Sequence, residues 1–537
     1  MKKVCLLLAV CLFFAVTAVA DDQGHHHEDL SPEQLGTVHF PVSCTESVQK
    51  GFERGVALLH SFWYEEAQRQ FEQVVEQDPH CAMAHWGVSM SLWHQLWNHP
   101  DAKTIKKGKA EVEQANKLHS RDDRERGYIA AAGAFYGGSK ERDYQARADA
   151  YAQAMQAAYE HHPEDSEAAA FYALSLLASA PDHDTTFTNQ KKAAAVLEKL
   201  FAEEPDHPGV AHYLIHSYDS PQMAQLGLPA ARRYAKIAPA SAHALHMPSH
   251  IFARLGLWQD DIDSNLASIA ASRKSAAMHM GDGGHEFHAM DFLEYADLQS
   301  GHEADAQHLI DEIKAMPPQK DMYGMGFDPR ISALAEFTSR YALELHHWSD
   351  AAQLQPAPDS DVGDSAVTYW AQAIGAAKTG NVDEARKDIS ELESAHATLV
   401  REKKKYIAEA VAQDQQEAAA WLAYAEGNKD QATAALRKIA EKEEAEGDEP
   451  LAMPAREMVA DMLLDMNRPQ DALAEYETDL KFNPNRFDGL YGAAHAAEMA
   501  GKNDKANTYY SQLLQVCNGS SSDRPELNHA KQLLAKN

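Results

Sequence analysis

Apolar residues recur at helical spacing along most of the chain, and near the C-terminus the pattern itself repeats. There, Ala472 and Tyr476 are followed 34 residues later by Ala506 and Tyr510. Strand-like alternation of Val, Ile and Thr is nearly absent, and short segments rich in Gly, Asn, Asp or Pro separate the helical stretches. A period of this length predicts a solenoid of stacked helix–turn–helix units.

The N-terminal units carry the same arrangement of small and aromatic residues. Gly55, Ala67, Phe71 and Pro79 fall at the small-residue, alanine, aromatic and proline positions of one unit. These residues resemble the tetratricopeptide repeat (TPR), and the resemblance covers roughly residues 46–515. It implies an all-α solenoid in which the first helix of each unit lines a concave, ligand-binding face.

Several longer phrases are similar to an exported bacterial TPR family whose function is uncharacterised. This narrower resemblance implies the fold and export, and it implies almost nothing about a ligand or a reaction. The phrases are residues 39–41, 54–64, 81–87, 212–219 and 246–252.

The N-terminus has the pattern of a signal peptide. Lys2 and Lys3 precede an apolar run at residues 4–16, and Ala18 and Ala20 supply the small residues of a cleavage site. We therefore expect a soluble, periplasmic or secreted protein with no membrane span. The predicted segments are a signal peptide (1–20), a flexible leader with three histidines (21–38), an N-terminal TPR-like array with a histidine-rich groove (39–355), a linker (356–365), a C-terminal TPR array (366–515) and a polar tail (516–537).

The charge balance argues against anionic partners. The chain has 49 Lys and Arg against 81 Asp and Glu, a formal net charge of −32, which becomes −34 once Lys2 and Lys3 are removed. A negative field of this size repels phosphate groups. We therefore expect neither nucleic acid nor anionic lipid surfaces as partners.

Cleavage of the signal peptide leaves three cysteines. Cys44 and Cys81 each lie at the start of the first helix of successive units. Equivalent ends of neighbouring helices are close together in a solenoid, and an exported protein meets an oxidising compartment. The sequence therefore predicts a Cys44–Cys81 disulfide and leaves Cys517 unpaired.

Two HxxxH pairs indicate the candidate functional site. His246 and His250 follow His212 and His216 by one 34-residue period. Each pair places two imidazoles on one helical face, at positions directed into the groove. The next first helix adds His288 and Asp291 at comparable positions. These six residues form the predicted metal site, and the surrounding groove is predicted to include Asp219, His243, His285 and Tyr295.

Several functions fit this arrangement. Paired imidazoles with a carboxylate suit zinc, copper or iron, which indicates a metal-binding module. A metal-dependent hydrolase or oxidoreductase would use the same site. Alternatively, the groove binds a peptide, protein or small molecule without metal, or the histidines serve packing alone. A further alternative is a metal-free scaffold for protein–protein interaction that acts through the C-terminal units. The chain has no HExxH, P-loop, GxGxxG or GxSxG motif, so no catalytic residue is assigned.

Overall fold

The computed structural model describes residues 32–96, 99–139, 142–280, 285–319, 328–447, 451 and 453–536. Within these residues the chain forms helices and no strand, which confirms the predicted all-α fold. None of the described helices is long and apolar enough to cross a membrane. The predicted signal peptide and the leader as far as residue 31, including its three histidines, lie outside the described residues.

The helices of the first half follow one another with short turns. They are α1 (Pro32–Leu35), α2 (Gln49–His60), α3 (Tyr64–Gln77), α4 (Ala82–Ser91), α5 (Ala102–Lys117), α6 (Asp123–Tyr136), α7 (Tyr144–His161), α8 (Ser166–Ala178), α9 (Thr188–Glu203), α10 (Pro208–Tyr218), α11 (Ala224–Ile237), α12 (Ala242–His246), α13 (Pro248–Leu255), α14 (Trp258–Ala277), α15 (His285–Gln299) and α16 (Glu303–Ala315).

The second half continues the array in the same manner. Its helices are α17 (Pro329–Glu344), α18 (Trp348–Ala351), α19 (Val362–Lys378), α20 (Val382–Glu402), α21 (Lys405–Ala425), α22 (Lys429–Glu446), α23 (Ala455–Asp465), α24 (Pro469–Phe482), α25 (Phe487–Met499), α26 (Asn503–Val516) and α27 (Pro525–Leu534).

The contacts between successive helices are those of a TPR-like solenoid. Phe71 on α3 fills the space left by Gly55 on α2, where an added Cβ would lie 2.7 Å from its ring, and it also packs against Gly87 on α4. Tyr476 on α24 packs in the same way against Gly492 on α25. A small residue on the first helix therefore accommodates the aromatic residue of the second, as the repeat pattern predicts.

Both ends of the array contain ordered structure beyond the predicted repeats. The predicted leader ends in α1, where Leu35 is buried and the Thr37 amide donates to Asp206. The predicted polar tail contains α27, which buries Leu527 and Ala530 against the preceding units. Apolar residues in these two segments cover the first and last repeats.

The array curls so that its two halves meet. Trp258 at the start of α14 donates its indole N–H to the Asn485 carbonyl at 2.8 Å, and the Phe487 amide donates to Gln299 Oε1 at 3.0 Å. The start of α25 therefore rests against α14 and α15, far away in sequence. This closure encloses the side chains on the inner face.

A disulfide joins Cys44 and Cys81, as predicted, and Cys517 is free and buried. The bridge ties the segment before α2 to the start of α4 at the open end of the solenoid. Burial raises the pKa of the Cys517 thiol to about 12, which keeps that thiol protonated.

Replacing Cys44 with serine is expected to lower the free energy of unfolding by about 2–4 kcal/mol, because the bridge closes a loop between residues 37 positions apart. Urea unfolding with and without reductant measures this loss. The Cys517→Ser variant is the control and should still respond to reductant. Equal stability of the reduced and oxidised wild type would contradict the prediction.

Candidate metal centre

Three histidine side chains converge between α10 and α12. The Nε2 atom of His212 lies 3.1 Å from His216 Nε2 and 2.9 Å from His243 Nε2. His212 and His216 occupy successive turns of α10, and His243 comes from the first helix of the next unit. We call these three residues the first trio.

A second trio lies one repeat further along. The Nε2 atoms of His246 and His250 are 3.0 Å apart, and His288 brings its ring within 4.5 Å of His246, measured between ring centroids. In each trio, one ligand atom from every histidine lies within 4.8 Å of the others. His246 ends α12, His250 lies on α13 and His288 lies on α15.

The two trios are built by the same rule. Each takes two histidines four residues apart on one unit and a third from the start of the next unit's first helix. The first trio uses His243 in this third role and the second uses His288. The HxxxH pairs are 34 residues apart and the third histidines 45 residues apart, so stacking of successive units, whose equivalent positions adjoin one another, forms the arrangement twice.

In the first trio, a backbone carbonyl fixes the ring of His212. The Nδ1 atom of His212 lies 2.6 Å from the carbonyl oxygen of His60, so Nδ1 carries the proton and donates it. The Nε2 atom of His212 therefore presents its lone pair to the two neighbouring Nε2 atoms. Outer-shell acceptors of this kind orient histidines that bind metals.

In the second trio, two side-chain acceptors do the same. His246 Nδ1 donates to Asn265 Oδ1 at 2.7 Å, and His250 Nδ1 donates to Asp219 Oδ2 at 2.8 Å. The Asn265 amide is itself held, because its Nδ2 donates to Asp261 Oδ1 at 2.6 Å. Both Nε2 atoms, 3.0 Å apart, are therefore left with lone pairs that face each other.

Burial keeps these imidazoles neutral. It lowers the pKa of His212, His243 and His246 well below the usual value of 6.5, and the neighbouring histidines add to the effect. The pKa of His216 falls to about 3 for the same main reason. Neutral imidazole is the form that binds metal, so the first trio is ready to coordinate at physiological pH.

Burial opposes ionisation of Asp219 too, but the charge of Arg254 and the hydrogen bonds that His250 and Arg254 donate outweigh it and lower the Asp219 pKa. Arg254 Nε donates to Asp219 Oδ1 at 3.0 Å. Asp219 is thus an ionised acceptor that orients the ring of His250.

One phenylalanine covers each trio. The ring centroid of Phe62 lies 4.3, 5.8 and 5.4 Å from those of the three histidines of the first trio. Phe292 lies 4.9, 4.6 and 5.3 Å from the three rings of the second. Phe62 has φ of 54°, the left-handed conformation of a residue just past the end of α2, where the Trp63 amide donates to the Leu58 carbonyl at 3.0 Å.

Two of the predicted site residues bind arginines. Asp291 Oδ1 accepts from Arg340 Nη2 at 2.7 Å, and the Tyr295 hydroxyl accepts from Arg486 Nη1 at 2.9 Å. Neither belongs to a trio. His285 is placed beside the first trio, with its ring centroid 4.7 Å from that of His243.

Most histidines of the predicted groove are buried, and His216 and His288 are partly exposed. His212, His243 and His246 are at most 1% exposed, and His250 and His285 are below 10%. The phenylalanine rings and the curl of the array cover the inner face at this point. The arrangement is therefore a mostly buried site in which each trio keeps one partly exposed histidine, His216 or His288.

A neighbouring buried cluster is satisfied by its own hydrogen bonds. Glu167 accepts from His60 Nε2 at 2.8 Å and from His207 Nε2 at 3.0 Å, while the Tyr213 hydroxyl lies 2.8 Å from His60 Nδ1. Each of these donors has an acceptor, so no lone pair faces another. We read this cluster as a support that holds the His60 carbonyl against His212.

Two further groups of potential ligand atoms lie nearer the surface. One contains Asp123 with His161 and His162, and the other contains His495, Glu498 and His529. Their side chains are between about a quarter and two thirds exposed. Exposed groups of this kind are common without an ion.

A separate cleft of about 810 Å³ lies where α7 and α8 approach α21. His99 stacks on Tyr144 in its wall, with ring centroids 3.7 Å apart, and Tyr406 and Asp182 close the opposite side. The histidines of the trios do not line this cleft.

The sequence matches no protein-family model and no curated protein. Among solved structures, the human IFIT1 dimer with PPP-AAAA has a TM-score of 0.35 and 11% identity, over 81% of this chain and 91% of that one. The human IFIT1 dimer with m7Gppp-AAAA has a TM-score of 0.33 and 13% identity over 82% and 90%. The Naa15/Naa10 complex bound to HypK-THB has a TM-score of 0.25 and 11% identity over 90% and 91%. These values assign neither a family nor a function.

Proposed function

We propose that this TPR-like α-solenoid is an exported module that binds transition-metal ions at the two histidine trios. One observation carries the proposal: the Nε2 lone pairs of His246 and His250 face each other at 3.0 Å inside the protein. Two such lone pairs repel each other unless a cation lies between them. Imidazole nitrogens are ligands for zinc, copper, iron and nickel.

A shared proton would also relieve one such pair. It does not account for a third imidazole at the same place, nor for the same arrangement one repeat earlier. At His212, two further Nε2 atoms approach a single lone pair. Three nitrogens around one point, with the rings of His212, His246 and His250 oriented by acceptors, are typical of metal coordination.

Metal analysis of the purified protein tests the proposal. The chain is prepared without an affinity tag and with residues 21–27 removed, because three consecutive histidines in the leader bind metal weakly on their own. We expect at least about one equivalent of bound metal after reconstitution, and loss of that metal in the double variant His216→Ala, His250→Ala.

The matched control is His161→Ala, His162→Ala, which removes two histidines outside the trios and should leave the metal content unchanged. Circular dichroism must show that both variants keep their helices. Absence of metal from the reconstituted wild type, or equal metal in the two double variants, would overturn the proposal. Loss of helicity in the His216 and His250 variant alone would show a packing role.

A further inference from the structure

We infer that each trio binds one monovalent copper ion, so that two copper(I) sites lie in successive repeats. This inference rests on the proposed metal-binding function and names the metal. Coordination number, charge and the spacing of the trios each favour copper(I) over the divalent alternatives.

The number of ligands in each trio favours copper(I). Each trio offers three imidazole nitrogens, and a phenyl ring packs against all three imidazoles. Zinc sites are almost always four-coordinate, and with three protein ligands a water takes the fourth position. The phenyl ring occupies the space beside the three imidazoles and supplies no fourth ligand. Copper(I), a d10 ion with a weak demand for a fourth ligand, is stable with three nitrogens.

Charge also favours copper(I). In the described part of the chain each trio presents three imidazole nitrogens and no carboxylate oxygen. Asp219 stands behind His250 and is already paired with Arg254. The cost of burying an ion rises with the square of its charge, so a monovalent ion costs about one quarter as much as a divalent ion of equal size.

The short distance between the trios favours monovalent ions as well. The rings of His216 and His250 are 6.5 Å apart between centroids, and those of His243 and His246 are 6.4 Å apart. Two ions held by these rings repel each other inside a medium of low dielectric constant. That repulsion is about four times smaller for two monovalent ions than for two divalent ions at the same separation.

An anaerobic competition titration tests the inference. The leader-truncated apo-protein is titrated with copper(I) against bicinchoninate, and separately with zinc(II) against a chromophoric zinc chelator. We expect two equivalents of copper(I), bound at least about 100-fold more tightly than zinc(II). The variants His216→Ala and His250→Ala should each retain one equivalent, and His495→Ala, outside the trios, should retain two.

Each outcome separates the inference from the proposed function. Tighter binding of zinc(II), or a single copper equivalent that either variant abolishes, would overturn the copper(I) pair and leave a transition-metal site standing. Failure of both metals to bind the folded wild type would overturn the proposed function itself. X-ray absorption of the copper-loaded protein provides a second readout, with three nitrogen ligands expected per copper.

Discussion

Replacing Arg486 with methionine is expected to lower the free energy of unfolding by about 3–5 kcal/mol. Arg486 is fully buried and donates from Nη2 to Glu344 at 2.9 Å and to Glu457 at 2.8 Å. Its Nη1 also donates to the Tyr295 hydroxyl at 2.9 Å. Methionine fills the space but leaves two buried carboxyl groups without their cation. Because these partners lie on α15, α17 and α23, the loss weakens the contact between the two halves of the array.

Urea unfolding followed by circular dichroism measures the change, and hydrogen exchange in α15 and α25 locates it. The control is Arg232→Met. Arg232 makes a bidentate salt bridge with Asp260, but both side chains are at least a third exposed. Loss of this salt bridge should therefore lower the free energy of unfolding by less than about 1 kcal/mol.

A rescue variant isolates the electrostatic cause. Adding Glu344→Gln and Glu457→Gln to Arg486→Met removes the orphaned carboxyl groups, and we expect it to recover a large part of the lost stability. A cost for Arg486→Met no greater than that of the surface control would show that Arg486 does not hold the halves together.

The fold was predictable because its determinants are local and repeat. The alternation of small and aromatic residues, such as Gly55 with Phe71 and Ala472 with Tyr476, recurs at a period that identifies one helix–turn–helix unit. The disulfide followed from the same register, since Cys44 and Cys81 occupy equivalent positions of adjacent units. Stacking of neighbours then required no long-range information.

The histidine pairs were visible for the same reason, but their grouping was not. The sequence indicated one site around both pairs and placed His243 in the surrounding groove. In the structure His243 completes the first trio and His288 the second. The repeat register contained this signal, because both residues hold the same position at the start of the next first helix. Which residue of the next unit completes each trio depends on the angle at which the two units stack.

The residues that orient and cover the trios carried no periodic signal. Phe62 and the His60 carbonyl reach the first trio from about 150 positions earlier in the chain. Arg486 contacts Tyr295 across 191 positions because the array curls. Such contacts depend on the accumulated rotation of many units, which the spacing of residues within one unit does not determine.

Metal affinity at the first trio is expected to change less than about tenfold between pH 8 and pH 5, whereas three exposed histidines would lose roughly 10⁴-fold. Burial lowers the pKa of His212, His216 and His243, that of His216 to about 3, so all three are neutral in the folded protein at pH 5. Metal therefore displaces no proton from them. An exposed imidazole with a pKa near 6.5 must first release one.

The same pKa shifts determine the direction in which the stability of the folded protein changes with pH. In the unfolded chain these imidazoles bind protons below about pH 6.5 and in the folded chain they do not, so their contribution to stability is complete above that pH and is lost as the pH falls below it.

Affinity is therefore measured by calorimetry down to pH 5, with helicity checked at each point, in two buffers of different ionisation enthalpy. A peptide of residues 21–31, with its three consecutive histidines, is the exposed control. Release of two or three protons per metal at pH 6 by the folded protein would show that the histidines are protonated before binding, and would contradict a trio kept neutral by burial.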